Sequence, residues 1–424
     1  MNFTTSTLLL SLLGTPPATP DPLCAQREPC RVVETLEAGE DANGYPLRVK
    51  RLSLGWLNAE AASTTAGRKF GSDRTAEGSR EKGACEATEW WMQRPSQPSQ
   101  LLLTVCNDGY GPAGIGKDEV RVGENLFSHE QSGQSDERWI ITHTLRLSPL
   151  TRVQSSMRTF PPGAPENERG HSWDVTRLRG EELVPAPACA EGQSSPGKRT
   201  LPYLPLIQVE KSYFKDGWKK AGLGTCALEA GHLVLGTQED PKNAALKAVL
   251  AERETLFLEV RDNRWTGPNG TNWLSDDHVE LWLGPQPPQE MTGCGTPPPE
   301  QRAVQWGIRI ADGKVFPAHG SPKQKLKVEK AEIRGPEGLV GYRLKVTLPK
   351  GFQSVGVVYS DSDEGKKQER VWATSPLKFA RPETLNAVRL VLPEEATCKV
   401  QGGELTVVPT PVKVQSPDVA VLSQ

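Results

Sequence analysis

The sequence predicts an all-β protein of two antiparallel β-rich domains, the C-terminal one a jelly-roll-like β-sandwich. Three observations predict it. Apolar and polar residues alternate over short stretches, most plainly in TLFLEVRD (255–262), HVELWLG (278–284), AVQWGIRI (303–310) and GYRLKVTLP (341–349). A period of two is the mark of a strand with one buried face. Forty glycines and 36 prolines punctuate these stretches as turn residues do. Helical periodicity is almost missing, and its one rival, NAALKAVLAERE (243–254), reads equally well as a hairpin feeding TLFLEV.

Each element follows from its alternation. LLLTVCNDG (101–109) runs from a strand into a turn, and RWIITHTLRLSPL (138–150) sets Trp139, Ile141, His143, Leu145 and Leu147 on one face. In the later region Leu256, Leu258 and Val260 share a face, as do Val279, Leu281 and Leu283. His278, Glu280 and Trp282 point the other way from that second set. Val304, Trp306, Ile308 and Ile310 align, then Tyr342, Leu344, Val346 and Leu348, then Val355, Val357 and Tyr359. Single-faced amphipathic strands at this spacing pack as two sheets around one core.

The organisation reads as five segments. Residues 1–22 hold a short apolar core, Leu8 to Leu13, ended by prolines. A span needs roughly 20 apolar residues, so this stretch is a secretory-signal-like segment and not a transmembrane helix. Residues 23–185 form an N-terminal β-rich domain, 186–202 a Pro/Gly/Ser-rich linker, 203–400 the sandwich and 401–424 a tail. Eight widely spread cysteines without a C-x-x-C pair fit structural disulfides in a periplasmic or secreted protein. Spacing suggests Cys24 with Cys30, Cys85 with Cys106 and Cys294 with Cys398, without fixing the connectivity.

Composition and motifs exclude several classes. The net charge is -2 with no block of like charge, which speaks against a nucleic-acid partner or a polybasic membrane patch. GYGPAG (109–114) satisfies G-x-G-x-x-G, but Pro112 and the lack of a following helix make it turn chemistry. No G-x-S-x-G elbow occurs. His143 is expected inside the core and His129 and His171 in polar loops, and no axial pair for haem is assignable.

The stretch from about Ser212 to Leu392 resembles the family-nine carbohydrate-binding modules and DOMON-like sandwiches. The resemblance lies in an ordered series: FKDGWKKA, TLFLEVRDNRW, SDDHVELWL, GYRLKVTLPKG, and VVYSDSDEG followed by VWAT. The N-terminal half resembles uncharacterised exported bacterial β-domains. The first resemblance implies a strand and hairpin for NAALKAVLAERE, and turns that carry calcium or polar contacts to sugar at Asp262, Asp277 and Glu280.

The residues themselves support a binding site. Trp265, Trp273 and Trp282 cluster around the acidic turn in the sequence, and flat aromatic rings with polar groups at their edge suit the apolar faces of sugars. The expected ligand face is therefore Trp265, Trp273, Trp282, Asp277 and Glu280, and the expected ligand a carbohydrate or cell-envelope glycan. Asp262, Asp361 and Asp363 are the expected ligands of a structural Ca²⁺, a hard ion served by carboxylates from several turns; no other cofactor is expected. Two alternatives stand beside this: a structural or protein-interaction component of the envelope, and a glycoside hydrolase using the same acids as a catalytic pair.

Overall fold

The alternating stretches become strands. A computed structural model of the protein describes residues 21–25, 30–58, 84–107, 115–134, 137–163, 168–185, 198–237, 244–268, 272–288, 297–320, 322, 324–336 and 338–412. Twenty-six strands account for most of these, while the α-helix among them, α1 (Lys211–Lys215), has five residues. None of the helices among the described residues is long and apolar enough to cross a membrane. The chain divides into two compact units.

One unit carries a sheet in chain order: β1 (Arg31–Glu40), β2 (Pro46–Asn58), β3 (Ala84–Gln93) and β4 (Gln100–Asn107). Leu52, Leu54 and Trp91 form its buried cluster, with Leu23, Val32 and Leu101 packed against it. Cys24 and Cys30 join beside this cluster, as their spacing suggested.

The other unit begins with a seven-stranded antiparallel meander: β5 (Ile115–Gly123), β6 (Leu126–Gln134), β7 (Arg138–Leu147), β8 (Leu150–Phe160), β9 (Arg169–Asp174), β10 (Arg179–Pro185) and β11 (Lys198–Pro202). His129 and His171, expected in loops, lie in β6 and β9, and His143, expected inside, is exposed on β7. Alternation assigns a residue to a face but not a cover to that face.

The sandwich follows directly. Its strands are β12 (Leu204–Ile207), β13 (Leu228–Glu229), β14 (His232–Leu235), β15 (Ala244–Ala251), β16 (Thr255–Asp262), β17 (His278–Gly284) and β18 (Val304–Arg309). They continue as β19 (Val315–His319), β20 (Lys327–Gly335), β21 (Gly338–Thr347), β22 (Ser354–Asp361), β23 (Arg370–Ala373) and β24 (Asn386–Leu390). One sheet runs β19-β18-β17-β22-β24-β12-β15-β16-β21-β20 and curls back on itself. Leu246, Leu258 and Leu344 from one end thereby meet Leu281, Ile308 and Val357 from the other in a single core. NAALKAVLAERE is β15 and the turn of an antiparallel hairpin with β16, register Ala244↔Asp262 to Ala251↔Thr255.

β16 is buried on both sides. Leu256, Leu258 and Val260 enter the main core, while Phe257 on the opposite face meets Tyr213 edge-on at 5.4 Å within a second cluster holding Trp218, Leu405 and Val407. A hairpin of β25 (Ala396–Gln401) and β26 (Glu404–Pro409) supplies the last two of these. Residues 198–202, read as linker, and 404–409, read as tail, are thus strands, each given a hydrogen-bonded neighbour that lies elsewhere in the chain or across a turn. Cys398 pairs with Cys226 and not with Cys294, because β26, the hairpin partner of β25, runs beside the turn at Gly224–Cys226 and sets Cys398 opposite Val407. Residues 1–20, 109–114, 186–197 and 413–424 lie outside the described residues, as do Cys189 and Cys294; so do the side chains of Cys85 and Cys106.

Candidate functional site

β17 places the site by its alternation. Val279, Leu281 and Leu283 fill the core, so His278, Glu280 and Trp282 stand on the outer face of the sheet. Their neighbours there are fixed by register: Arg309, Gly307 and Gln305 on β18, and Ser360, Val358 and Gly356 on β22. β19 adds Phe316 opposite Gly307 and His319 opposite Gln305.

Aromatic rings flank this row on both sides. The turn Trp273–Ser275 before β17 lays Trp273 over Gly307, where a β-carbon would come within 2.2 Å of the indole. Trp273 stacks on Phe316 at 5.7 Å with an interplanar angle of 10° and meets His278 edge-on at 4.7 Å. At the other end Phe379 packs edge-on to Trp282 at 5.5 Å and to His319 at 4.4 Å. Phe379 remains 68% exposed, an unusual cost for a phenyl ring on a protein surface.

Between the rings lies a polar centre built on Glu280. Its Oε2 accepts hydrogen bonds from Gln305 Nε2 at 2.7 Å and Trp282 Nε1 at 3.2 Å, and its Oε1 accepts one from Gln368 Nε2 at 3.3 Å. His278 Nδ1 donates to the Asp276 carbonyl at 2.7 Å, which turns Nε2 toward Gln368 at 3.3 Å and Glu280 at 3.5 Å. Burial penalises the charged form of Glu280, but His278, Trp282 and Gln305 together outweigh it and hold the carboxyl below its ordinary value. Glu280 is therefore an ionised acceptor at neutral pH.

A second acidic group lies at the ends of β16 and β22. Asp277 is buried with both oxygens engaged: Oδ2 accepts from the Thr266 amide at 2.8 Å and Oδ1 from the Ser362 amide at 2.9 Å. It ties two turns together. Tyr359 donates its hydroxyl to Asp262, and Arg370 reaches Asp361 at 3.1 Å and Asp363 at 3.4 Å. Burial pushes Asp262 up to about 8 and Asp277 and Asp361 each up to about 6, with neighbouring carboxylates adding to the rise.

One carboxylate oxygen from each of Asp262, Asp361 and Asp363 lies within 4.8 Å of the others. Oδ1 of Asp361 and Oδ1 of Asp363 are buried without a hydrogen-bond partner. An orphaned buried acceptor is costly. A hard cation bound by oxygens relieves that cost, so these residues fit the Ca²⁺ that the sequence suggested, as part of a larger oxygen shell.

The structure divides the expected ligand face. Trp273, Trp282 and Glu280 come together on the outer face. Trp282 lies outside the main core, as its alternation indicated, but is only 2% exposed, covered by Phe379 and its own small cluster with Leu385. Trp265 sits elsewhere, edge-on to Tyr342 at 4.7 Å against the main core. Asp277 is held inside by its two amide partners. Gln305, Gln368, Phe316, His319 and Phe379 were not singled out from the sequence. Gln305 was legible there, since it alternates against Trp306; Phe379 and Gln368 lie in loops, where no period marks a face.

The outer face of this all-β sandwich thus carries a charged, hydrogen-bonded centre between aromatic flanks. No family model matches the chain, and no curated protein matches it. Solved structures similar to this chain include two carbohydrate-binding modules. One is a family 9 carbohydrate-binding module from Caldicellulosiruptor kristjanssonii in complex with cellotriose: 13% identity over 46% of this chain and 98% of that one, TM-score 0.32. The other is a family 9 module from the same organism in complex with glucose: 10% identity over 44% of this chain and 94% of that one, TM-score 0.29.

Proposed function

We propose that this protein is an exported, non-catalytic saccharide-binding protein whose ligand lies across the outer face of β17 and β18. The observation that carries this is the placement of Glu280, Gln305 and Gln368 between Trp273–Phe316 and Trp282–His319–Phe379. Sugar rings offer C–H faces to aromatic carbons and hydroxyls to carboxylate and amide oxygens, and this face presents both. Asp262, Asp361 and Asp363 would hold Ca²⁺, which would brace the turns after β16 and β22.

A hydrolase fits less well. Glycosidases set a carboxylic acid of raised pKa across the substrate from a second carboxylate. Here the carboxyls pushed up, Asp262, Asp277 and Asp361, are inside the protein, and the one on the face, Glu280, is pushed down.

Tryptophan fluorescence of the protein titrated with a panel of soluble glycans tests the reading. A saturable change is expected, weakened about tenfold in Trp273→Ala and in Phe379→Ala, the size of a lost aromatic contact. Phe379 is exposed enough that its removal leaves the fold intact. A flat response across a broad panel from folded protein overturns the proposal and favours a structural role in the envelope.

A further inference from the structure

The polar centre has a direction, and that direction selects among saccharides. An ionised carboxylate only accepts, so each amide that meets Glu280 must offer its nitrogen. Gln305 and Gln368 both do so, which turns their carbonyl oxygens away from Glu280. Neither oxygen has a protein partner and neither is a buried orphan, so both reach the surface as unengaged acceptors. Trp282 Nε1 is spent on Glu280, and His278 Nδ1 on the Asp276 carbonyl.

Two arginines bordering this end of the sheet are committed too. Arg309 is held by Asp276 at 3.3 Å and Asp312 at 2.6 Å, and Arg370 by Asp361 and Asp363. What the centre turns toward a ligand is thus one negative charge flanked by two carbonyl oxygens.

We propose, building on the saccharide reading, that this face selects sugars bearing a free amino group over neutral sugars and rejects uronic or sulfated ones. A protonated amine beside this centre donates to a glutamine carbonyl oxygen and meets the charge of Glu280. A neutral hydroxyl donates without the charge. An acidic sugar sets its own anion against Glu280 and two carbonyl oxygens.

Isothermal titration of the full chain with matched β-1,4-linked trisaccharides of glucosamine, glucose and glucuronate tests this at mildly acidic pH, where the amine is protonated. Glucosamine is expected to bind about tenfold tighter than glucose, the size of a charge-assisted hydrogen bond, and glucuronate about tenfold weaker. Added salt shrinks the glucosamine preference. In Glu280→Gln it falls below about threefold, because both amides can reverse once the carboxylate is gone. If that variant misfolds, Gln305→Met, which removes one acceptor at similar volume, lowers the ratio in the same direction. Equal or tighter binding of glucose, or an unchanged ratio in both variants, overturns the inference and leaves the saccharide reading standing. Failure of all three sugars to bind overturns both.

Discussion

Gly307 shows how one residue positions the face. With hydrogen in place of a methyl group, β18 lets the Trp273 ring lie flat on the strand and stack on Phe316. In Gly307→Ala the new β-carbon lands 2.2 Å from the indole. The ring sits on a surface turn and moves off instead of the strand. The expected result is a modest stability loss, about 1 kcal/mol in a denaturant melt, with a larger loss of glycan affinity. Unchanged affinity would show that Trp273 does not touch the sugar. Glu280 makes the complementary point: its neighbours in sequence, His278 and Trp282, were readable from period two, but its partner Gln368 lies 88 residues away and no local pattern joins them.

At the scale of elements, the turn after β16, the turn before β17 and the turn after β22 are bound by acids. The folded-state carboxyls of Asp277 and Asp361 are raised to about 6 and that of Asp262 to about 8. An acid raised on folding favours the protonated folded protein. Its contribution is complete below the ordinary carboxyl range and is lost as pH rises through about 6 and on to about 8. Metal-free protein is therefore expected to lose thermal stability between pH 5 and 8, and millimolar Ca²⁺ to restore it at the upper end, since the cation takes the proton's place. Asp361→Asn should flatten the pH trend and abolish the Ca²⁺ effect. A melting temperature indifferent to Ca²⁺ at pH 8 would dismiss the cation. The acids themselves were visible as SDD and SDSDEG in the sequence. Their separation into a buried group, Asp262, Asp277 and Asp361, and a surface one, Glu280, was not, because it depends on which turn covers which.

For the whole molecule, the Cys226–Cys398 bond closes a loop of 172 residues around the sandwich. Cross-linking so long a loop removes much of the entropy of the unfolded chain, by about 5 kcal/mol in the chain-entropy account. Cys226→Ala with Cys398→Ala should therefore unfold at clearly lower denaturant, with the β25–β26 hairpin losing protection from hydrogen exchange first. Equal stability of the double variant would mean that the packing of Leu405 and Val407 against Trp218 holds that hairpin by itself.

Alternation by itself determined the all-β class, the inward sets Leu256–Leu258–Val260 and Val279–Leu281–Leu283, and the outward stance of Glu280 and Trp282, because period two is a local property of the backbone. It did not determine that Trp265 turns to the core, that Trp282 is covered by Phe379, that Asp277 is locked by two amides, or that Cys398 finds Cys226. Those are long-range facts: burial and hydrogen bonding depend on the segments that fold back over a face, and only the tertiary structure decides which segments those are.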